Sequence, residues 1–425
     1  MDISKEFLKQ ILVEQRHSIL KKDPGIPRTI LSRIHDKVSL PHIVVIKGIR
    51  RCGKSTLLRQ IIKEYYHDTD FFYVNFEDER LVSFQSSSFS TILETQIELF
   101  GEQKVFLIDE IQQNAGFESY VRRLSDNGYK FYITGSNANL LSSEISTKLT
   151  GRHIDLTLHS FSFNEYLTLK GIKLSQEDIY LSQNRAILKR EFDNFLLFGG
   201  MPEYLIYNDD EIIFRMYEDI ILKDIAVRYG ISLVKPMREL YHYLISNICR
   251  PFSYRTLTRL TEIDSAITIK NYIHYLELTY FIIQISKFDY SLKKQLINNK
   301  KVYVADNAFF KKVSFQYSDN KGWLLENLVA TELSKSGELY YYNDKHTCDF
   351  ILKSREGLGA VQVAYEFTAI NRTREINGLT EALKYIRKKR GIIITLDNEE
   401  EITDNNCKIS ILPCWKWLFL KEKMT

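Results

Sequence analysis

A short β-branched run, Ile43-Val44-Val45-Ile46-Lys47, meets Gly48, four residues and then Gly53-Lys54-Ser55. Few chains can carry that order of residues without folding it as strand, tight loop and helix. Gly48 and Gly53 permit the turn. The backbone N–H groups of Ile49, Arg50, Arg51, Cys52, Gly53, Lys54, Ser55 and Thr56 can then converge on phosphate oxygens at a helix N-terminus. Lys54 is placed to reach the β- and γ-phosphates of a nucleotide, and the Ser55 hydroxyl to ligate Mg²⁺. Leu57, Leu58, Ile61 and Ile62 give the following helix an apolar face.

The sequence around this loop predicts a parallel α/β sheet. Five apolar segments, 43–47, 71–76, 104–109, 130–135 and 153–158, alternate with helical or loop segments. In such folds chemistry gathers beyond the carboxyl ends of the strands. The strand Val105-Phe106-Leu107-Ile108 runs into Asp109-Glu110, with Asp109 read as a second Mg²⁺ ligand and Glu110 as the group that polarises an attacking water. Taken alone, such an ending would read as a helix cap; downstream of the loop it reads as the acidic half of the same site. Ser136 and Asn137, after the fourth strand, are read together as a sensor of the γ-phosphate, with no choice made between them. Arg152 precedes the fifth strand and is either a finger reaching a phosphate or an ion-paired surface arginine. Asn75, Glu77 and Asp78 follow the second strand, where they can order water near the site.

The chain has 425 residues, room for several cores, and a formal net charge of only +4, which neither demands nor excludes nucleic acid. Its five cysteines have no paired spacing, so a reducing cytoplasm is expected, and no apolar run is long enough to span a bilayer. Five segments are read: N-terminal helices over 1–40, a P-loop core over 41–160, a helical lid over 161–232, a winged helix over 233–300, and a small α/β domain over 301–425. In the winged helix, Thr268, Lys270, Asn271, Tyr272 and His274 would form the second helix. With Lys287, Lys293, Lys294, Arg255 and Arg259 they could contact DNA, and a structural spacer fits as well. In the last segment a helical Glu326, a strand-borne Asp349 and Gln362 occupy nuclease-like metal positions. Gln362 and Ala364 stand where an acid and a lysine are needed, so the shell is read as degenerate. The run Lys384, Arg387, Lys388, Lys389, Arg390 could hold a phosphate backbone or merely end a helix.

Taken together the motifs resemble a family of prokaryotic P-loop ATPases of the AAA superfamily with a winged-helix middle and a C-terminal restriction-endonuclease-like domain of unknown function. They are Gly48–Ser55, Asp109-Glu110-Ile111-Gln112, Gly135-Ser136-Asn137, Leu149–Arg152, Phe161–Tyr166, Gly199-Gly200-Met201-Pro202, Glu326-Asn327, Cys348-Asp349-Phe350 and Gln362-Val363. The resemblance implies ATP and Mg²⁺ as cofactors, ATP hydrolysis coupled to conformational change, a homo-oligomer, and action on or near DNA, with a protein partner unidentified and no membrane. A nucleotide-set assembly switch with negligible turnover is the alternative, and an ATP-regulated nuclease a third.

Overall fold

The computed structural model describes residues 4–82, 84, 89–113, 116–136, 151–315 and 320–421. Two compact units result, residues 4–160 with 278–280, and residues 161–277 with 281–421.

The first unit is built on β1 (Ile43–Lys47), β2 (Phe71–Asn75), β3 (Val105–Asp109), β4 (Lys130–Gly135) and β5 (His153–Thr157), which form one parallel sheet in the order β2-β3-β4-β1-β5. The five segments expected from the sequence are these strands, to within a residue at their ends. Their near-continuous apolar character follows from burial on both faces: Val44, Val45, Phe72, Phe106, Leu107 and Ile133 are all fully buried. The order reverses beside β1, and this creates the crevice in which the loop after β1 sits.

Helix α1 (Lys5–Lys21) is capped by Ser4, whose hydroxyl accepts the Phe7 N–H. Its Leu8, Ile11, Leu12 and Ile19 share one face and pack toward the β2 edge and α4 (Phe89–Phe100). Among the described residues this unit also has the helices α2 (Leu31–Val38), α3 (Lys54–Tyr65) and α5 (Phe117–Asp126).

The second unit begins with α6 (Phe163–Leu169), α7 (Ser182–Phe198), α8 (Pro202–Tyr207) and α9 (Asp210–Asp219), followed by a π-helical turn over Ile220–Val227. The Phe161–Tyr166 motif is a capping box: the Ser162 hydroxyl accepts the Glu165 N–H, and the Glu165 carboxylate accepts the Ser162 N–H. A Cβ at Gly200 would stand 2.3 Å from the Phe161 carbonyl oxygen, which explains the glycine in the second motif. Next come α10 (Val234–Ser246), α11 (Tyr254–Leu260), α12 (Ala266–Leu278), β6 (Ile282–Lys287), α13 (Leu292–Ile297) and β7 (Lys300–Val304). These helices and the β6–β7 hairpin occupy the segment read as a winged helix.

The boundary expected at 300/301 falls inside β7. The β6–β7 hairpin also continues, by parallel pairing of β6 with β8 (Glu338–Asn343), into an eight-stranded sheet among the described residues. An unpaired hairpin edge is a ready template, and here the C-terminal strands use it. That sheet, ordered β12-β13-β11-β10-β9-β8-β6-β7, adds β9 (Thr347–Ser354), β10 (Gly357–Ala364), β11 (Arg390–Thr395), β12 (Glu400–Asp404) and β13 (Cys407–Pro413). It is covered by α14 (Asn307–Val313), α15 (Lys321–Ser334), α16 (Arg372–Tyr385) and α17 (Cys414–Lys421). The helices of 161–232, read as a lid, cluster with this sheet in the second unit. All five cysteines are buried and free, and no described helix is long and apolar enough to cross a membrane.

Candidate functional site

The loop after β1 closes as its glycines require. Gly48 has φ +155°, and a Cβ there would lie 2.1 Å from the Leu158 carbonyl oxygen. Gly53 has φ +100° and starts α3. Arg51, with φ 61°, takes the left-handed region despite its side chain. Lys54 is 4 % exposed. Its Nζ donates to the carbonyls of Gly48 and Ile49, both at 3.2 Å, and lies 3.7 Å from a Glu110 carboxylate oxygen.

The register of the sheet assembles the acidic side. Asn75 pairs with Asp109 on one flank, and Ile108 with Ile133 on the other, so Asp109 meets Thr134. The Thr134 hydroxyl donates to Asp109 and accepts the Glu110 N–H at 3.0 Å. Tyr73 adds a longer contact to Asp109, 3.4 Å. Glu110 holds φ 49°, a strained conformation for a glutamate. The Gln112 amide donates to the Glu110 carboxylate and, at 3.2 Å, to the Ser136 hydroxyl. Ser136 is therefore brought to Glu110. Asn137 lies outside the described residues, as do Leu149 and Thr150.

Burial and the neighbouring Glu110 charge push the Asp109 carboxyl above its ordinary range. Burial acts against the Lys54 ammonium, but Glu110, Cys52 and Asp109 outweigh it, and its pKa is raised. Burial likewise acts against the Glu110 carboxylate, and Lys54 and Gln112 outweigh that, so its pKa is lowered. Lys54 and Glu110 are thus held as an ion pair. Ser55 and Asp109 open onto a cavity of about 700 Å³ that is also lined by Asn75, Asp78 and Arg80. A hydroxyl beside a buried carboxylate, both oxygen donors, fits Mg²⁺, and a dication there would relieve the penalty on Asp109.

Sequence reasoning did not find the residues that hold this site in shape. Arg28, 5 % exposed, donates to the Cys52 carbonyl at 2.7 Å, to His159 at 2.7 Å and to Ser160 at 3.4 Å. Gln60 of α3 ties the same segment down through the Pro24 and Ile26 carbonyls, 2.7 Å each. Gln15 of α1 pairs with the Asn75 backbone (2.9 and 3.1 Å) and donates to Asp78 at 2.9 Å. Asp78 is forked by Arg80 (2.9 and 2.8 Å), which draws its pKa down to about 2. Glu77 faces Arg50 of the loop at 3.5 Å.

Arg152 is not brought to the site within its own chain. It precedes β5, whose first residue pairs with Ile43, whereas the loop follows Lys47 at the other end of β1. Five residues of strand, about 16 Å, separate the two ends. Arg152 instead ion-pairs with Asp126 and is 45 % exposed.

In the second unit, Glu326, Asp349 and Gln362 do converge, around a lysine. Glu326 accepts from the Tyr303 hydroxyl at 2.8 Å and from Lys301 at 3.2 Å; Lys301 also faces Asp349 at 3.8 Å. Burial, with Glu326 next, pushes the Asp349 carboxyl up to about 7. The Gln362 amide donates to Glu375 at 2.6 Å and accepts the Asp349 N–H at 3.1 Å. Among the described residues no group of three His, Cys, Asp or Glu is placed to hold a metal ion. Asn327 is structural: its amide bonds the Val304 backbone in both directions, 2.8 and 3.0 Å.

Residues 41–167 match the model of the AAA domain, and residues 189–318 match a domain of unknown function (DUF8612). Among solved structures, the ORC1 protein of Aeropyrum pernix in complex with DNA aligns at TM-score 0.32 and 12 % identity, covering 75 % of this chain and 98 % of that one. The RuvB Holliday junction branch migration motor of Thermotoga maritima aligns at 0.26 and 15 %, covering 66 % and 89 %. An uncharacterized protein of Haemophilus influenzae is 30 % identical over 341 residues, 76 % of this chain and 82 % of that protein. Uncharacterized protein MJ1544 of Methanocaldococcus jannaschii is 33 % identical over 436 residues, 98 % of this chain and 96 % of its own length. With that identity over nearly both full lengths, and with strand, loop and acids set in a five-stranded parallel sheet, the chain belongs to the family of MJ1544 and carries a nucleotide-binding AAA domain of the P-loop NTPase fold.

Proposed function

We propose that the protein is a Mg²⁺-dependent ATPase whose nucleotide state drives a conformational change on or near DNA. The observation that carries this reading is Glu110: a buried carboxylate, kept charged beside Lys54, aimed by Gln112 and Ser136, and separate from Asp109. A pure binding loop needs no such group. Phosphate at the loop offers Lys54 stronger acceptors than the carbonyls of Gly48 and Ile49, and its move toward them frees Glu110 to polarise water. Ser55 and Asp109 would hold Mg²⁺, which supplies charge neutralisation on the phosphates when bound.

Arg152, at the end of the strands away from the loop, could serve only a neighbouring subunit, and its ion pair with Asp126 must open first. For the DNA side, Arg255, Arg259, Lys270 and Lys293 are exposed on the helices and hairpin of 254–304. The assembly-switch reading draws on the same Lys54–Glu110 pair, which a bound phosphate would have to open. Nucleotide-binding titration of Lys54→Ala tests the shared premise. Loss of ATP affinity by roughly a hundredfold or more is expected, and undiminished affinity would refute it.

A further inference from the structure

Two stretches far apart in sequence meet on the second unit. Tyr290, just past β6, lies against Tyr385 at the end of α16, with ring centroids 5.5 Å apart, and its hydroxyl donates to the Tyr385 carbonyl at 3.4 Å. Phe288 packs against both rings. This contact brings Lys294 close enough to Tyr385 to act on its hydroxyl, with Lys293 next to it in the chain, and Tyr385 stands within the run Lys384, Arg387, Lys388, Lys389, Arg390. Lys408 joins them, because β13 runs parallel to β11 with Lys408 opposite Arg390. All eight cations are exposed.

Some exposed cations of this unit take acids: Lys353 pairs with Glu338 at 3.0 Å, and Arg372 forks Glu400. Here Lys294 meets Asp289 at 3.6 Å. Among the described residues the five cations of the 384–390 run, and Lys408, have no acid within ion-pair distance. The helix dipole accounts for Lys384 alone, since the other four residues of the run lie beyond the last turn of α16. Arg387 also takes φ 58° at the position after the helix cap, with Lys388 N–H reaching back to the Leu383 carbonyl at 2.8 Å. Glycine is the economical residue there, and the chain places a cation instead.

We infer that this face holds the phosphate backbone of DNA. It takes its partner from the DNA reading proposed above. The cations meet phosphates, and the rings of Tyr290, 64 % exposed, and Tyr385, 36 % exposed, offer apolar faces for a sugar or an unpaired base.

Fluorescence anisotropy of a labelled DNA duplex, titrated with the full chain at roughly 50 and 200 mM KCl, tests the inference. The triple variant Arg387→Glu, Lys388→Glu, Arg390→Glu should lose affinity by ~10-fold or more, and its salt slope should fall by about 2 to 3. Arg387→Gln with Lys388→Gln should lose less, and an unchanged unfolding midpoint reports intact folding in each. Equal DNA affinity in wild type and triple variant would overturn this face and leave the DNA reading standing. Absence of DNA binding by the wild type at the lower salt would overturn both. Binding of RNA of the same sequence, with no binding of DNA, would also overturn the inference.

Discussion

Arg28→Ala should loosen the phosphate loop by removing a side chain that holds it from outside. The guanidinium is buried and spans two places in the first unit, the Cys52 carbonyl inside the loop and the His159 and Ser160 carbonyls after β5. Hydrogen bonds from a charged donor contribute about 1.5–3 kcal/mol each. Two of these are short, and their loss takes a charged donor from the buried Cys52 carbonyl and the half-buried His159 carbonyl, so a destabilisation of about 3–5 kcal/mol is expected. The Cys52 carbonyl then no longer fixes the loop, and ordering it falls to the ligand. That lowers ATP affinity by about tenfold, or 1.4 kcal/mol. Arg28→Lys keeps the charge but not the fork, and should recover about half of the stability. Urea unfolding followed by circular dichroism, with ATP titration of the folded variant, measures both effects. An Ala variant within about 1 kcal/mol of wild type, with unchanged ATP affinity, would refute the reasoning.

Two further perturbations follow from paired charge. Asp78 is held at about 2 by the Arg80 fork, below its unfolded value, so its contribution is complete above about pH 4 and is lost as pH falls toward 2. Discounted for the open cavity beside it, this amounts to about 1–2 kcal/mol; urea unfolding at pH 5 and near pH 2.5 should show wild type losing more stability than Asp78→Asn, and equal losses would contradict it. Lys301→Met should leave Glu326 and Asp349 facing each other without their cation and destabilise the second unit by about 3–5 kcal/mol. Trp323, Trp415 and Trp417 all lie in that unit and report the transition by fluorescence. Unchanged unfolding in this variant would show that Lys301 does not neutralise the pair.

The loop, the five strands and the pairing of Asp109 with Glu110 were legible because their signals are local: glycine spacing, β-branched runs and acids at strand ends. Arg28, Gln15 and Thr134 were not, since each acts on a partner in another element, chosen by sheet register or by a chain crossing that no window of sequence contains; Gln112 was in view in the Asp109–Gln112 motif, but its bond to Ser136 was not. Arg152 shows the converse: its place in sequence order was plain, but in a parallel sheet a residue preceding a strand lies at the end away from the loop. Several family motifs proved to hold the fold rather than do chemistry, as the Ser162–Glu165 capping box and Asn327 show. The extent of the C-terminal sheet was hidden for a simple reason. A hairpin reads alike whether its outer edge is solvated or paired, and only the structure shows β6 pairing onward to β8.

If Glu110 works on water and not merely as a partner for Lys54, its amide must spare binding and stop turnover. Steady-state ATP hydrolysis by Glu110→Gln, alongside its ATP affinity, tests this most directly. The expected result is affinity within about threefold of wild type with turnover reduced by ~10²-fold or more; turnover at the wild-type rate would contradict the account.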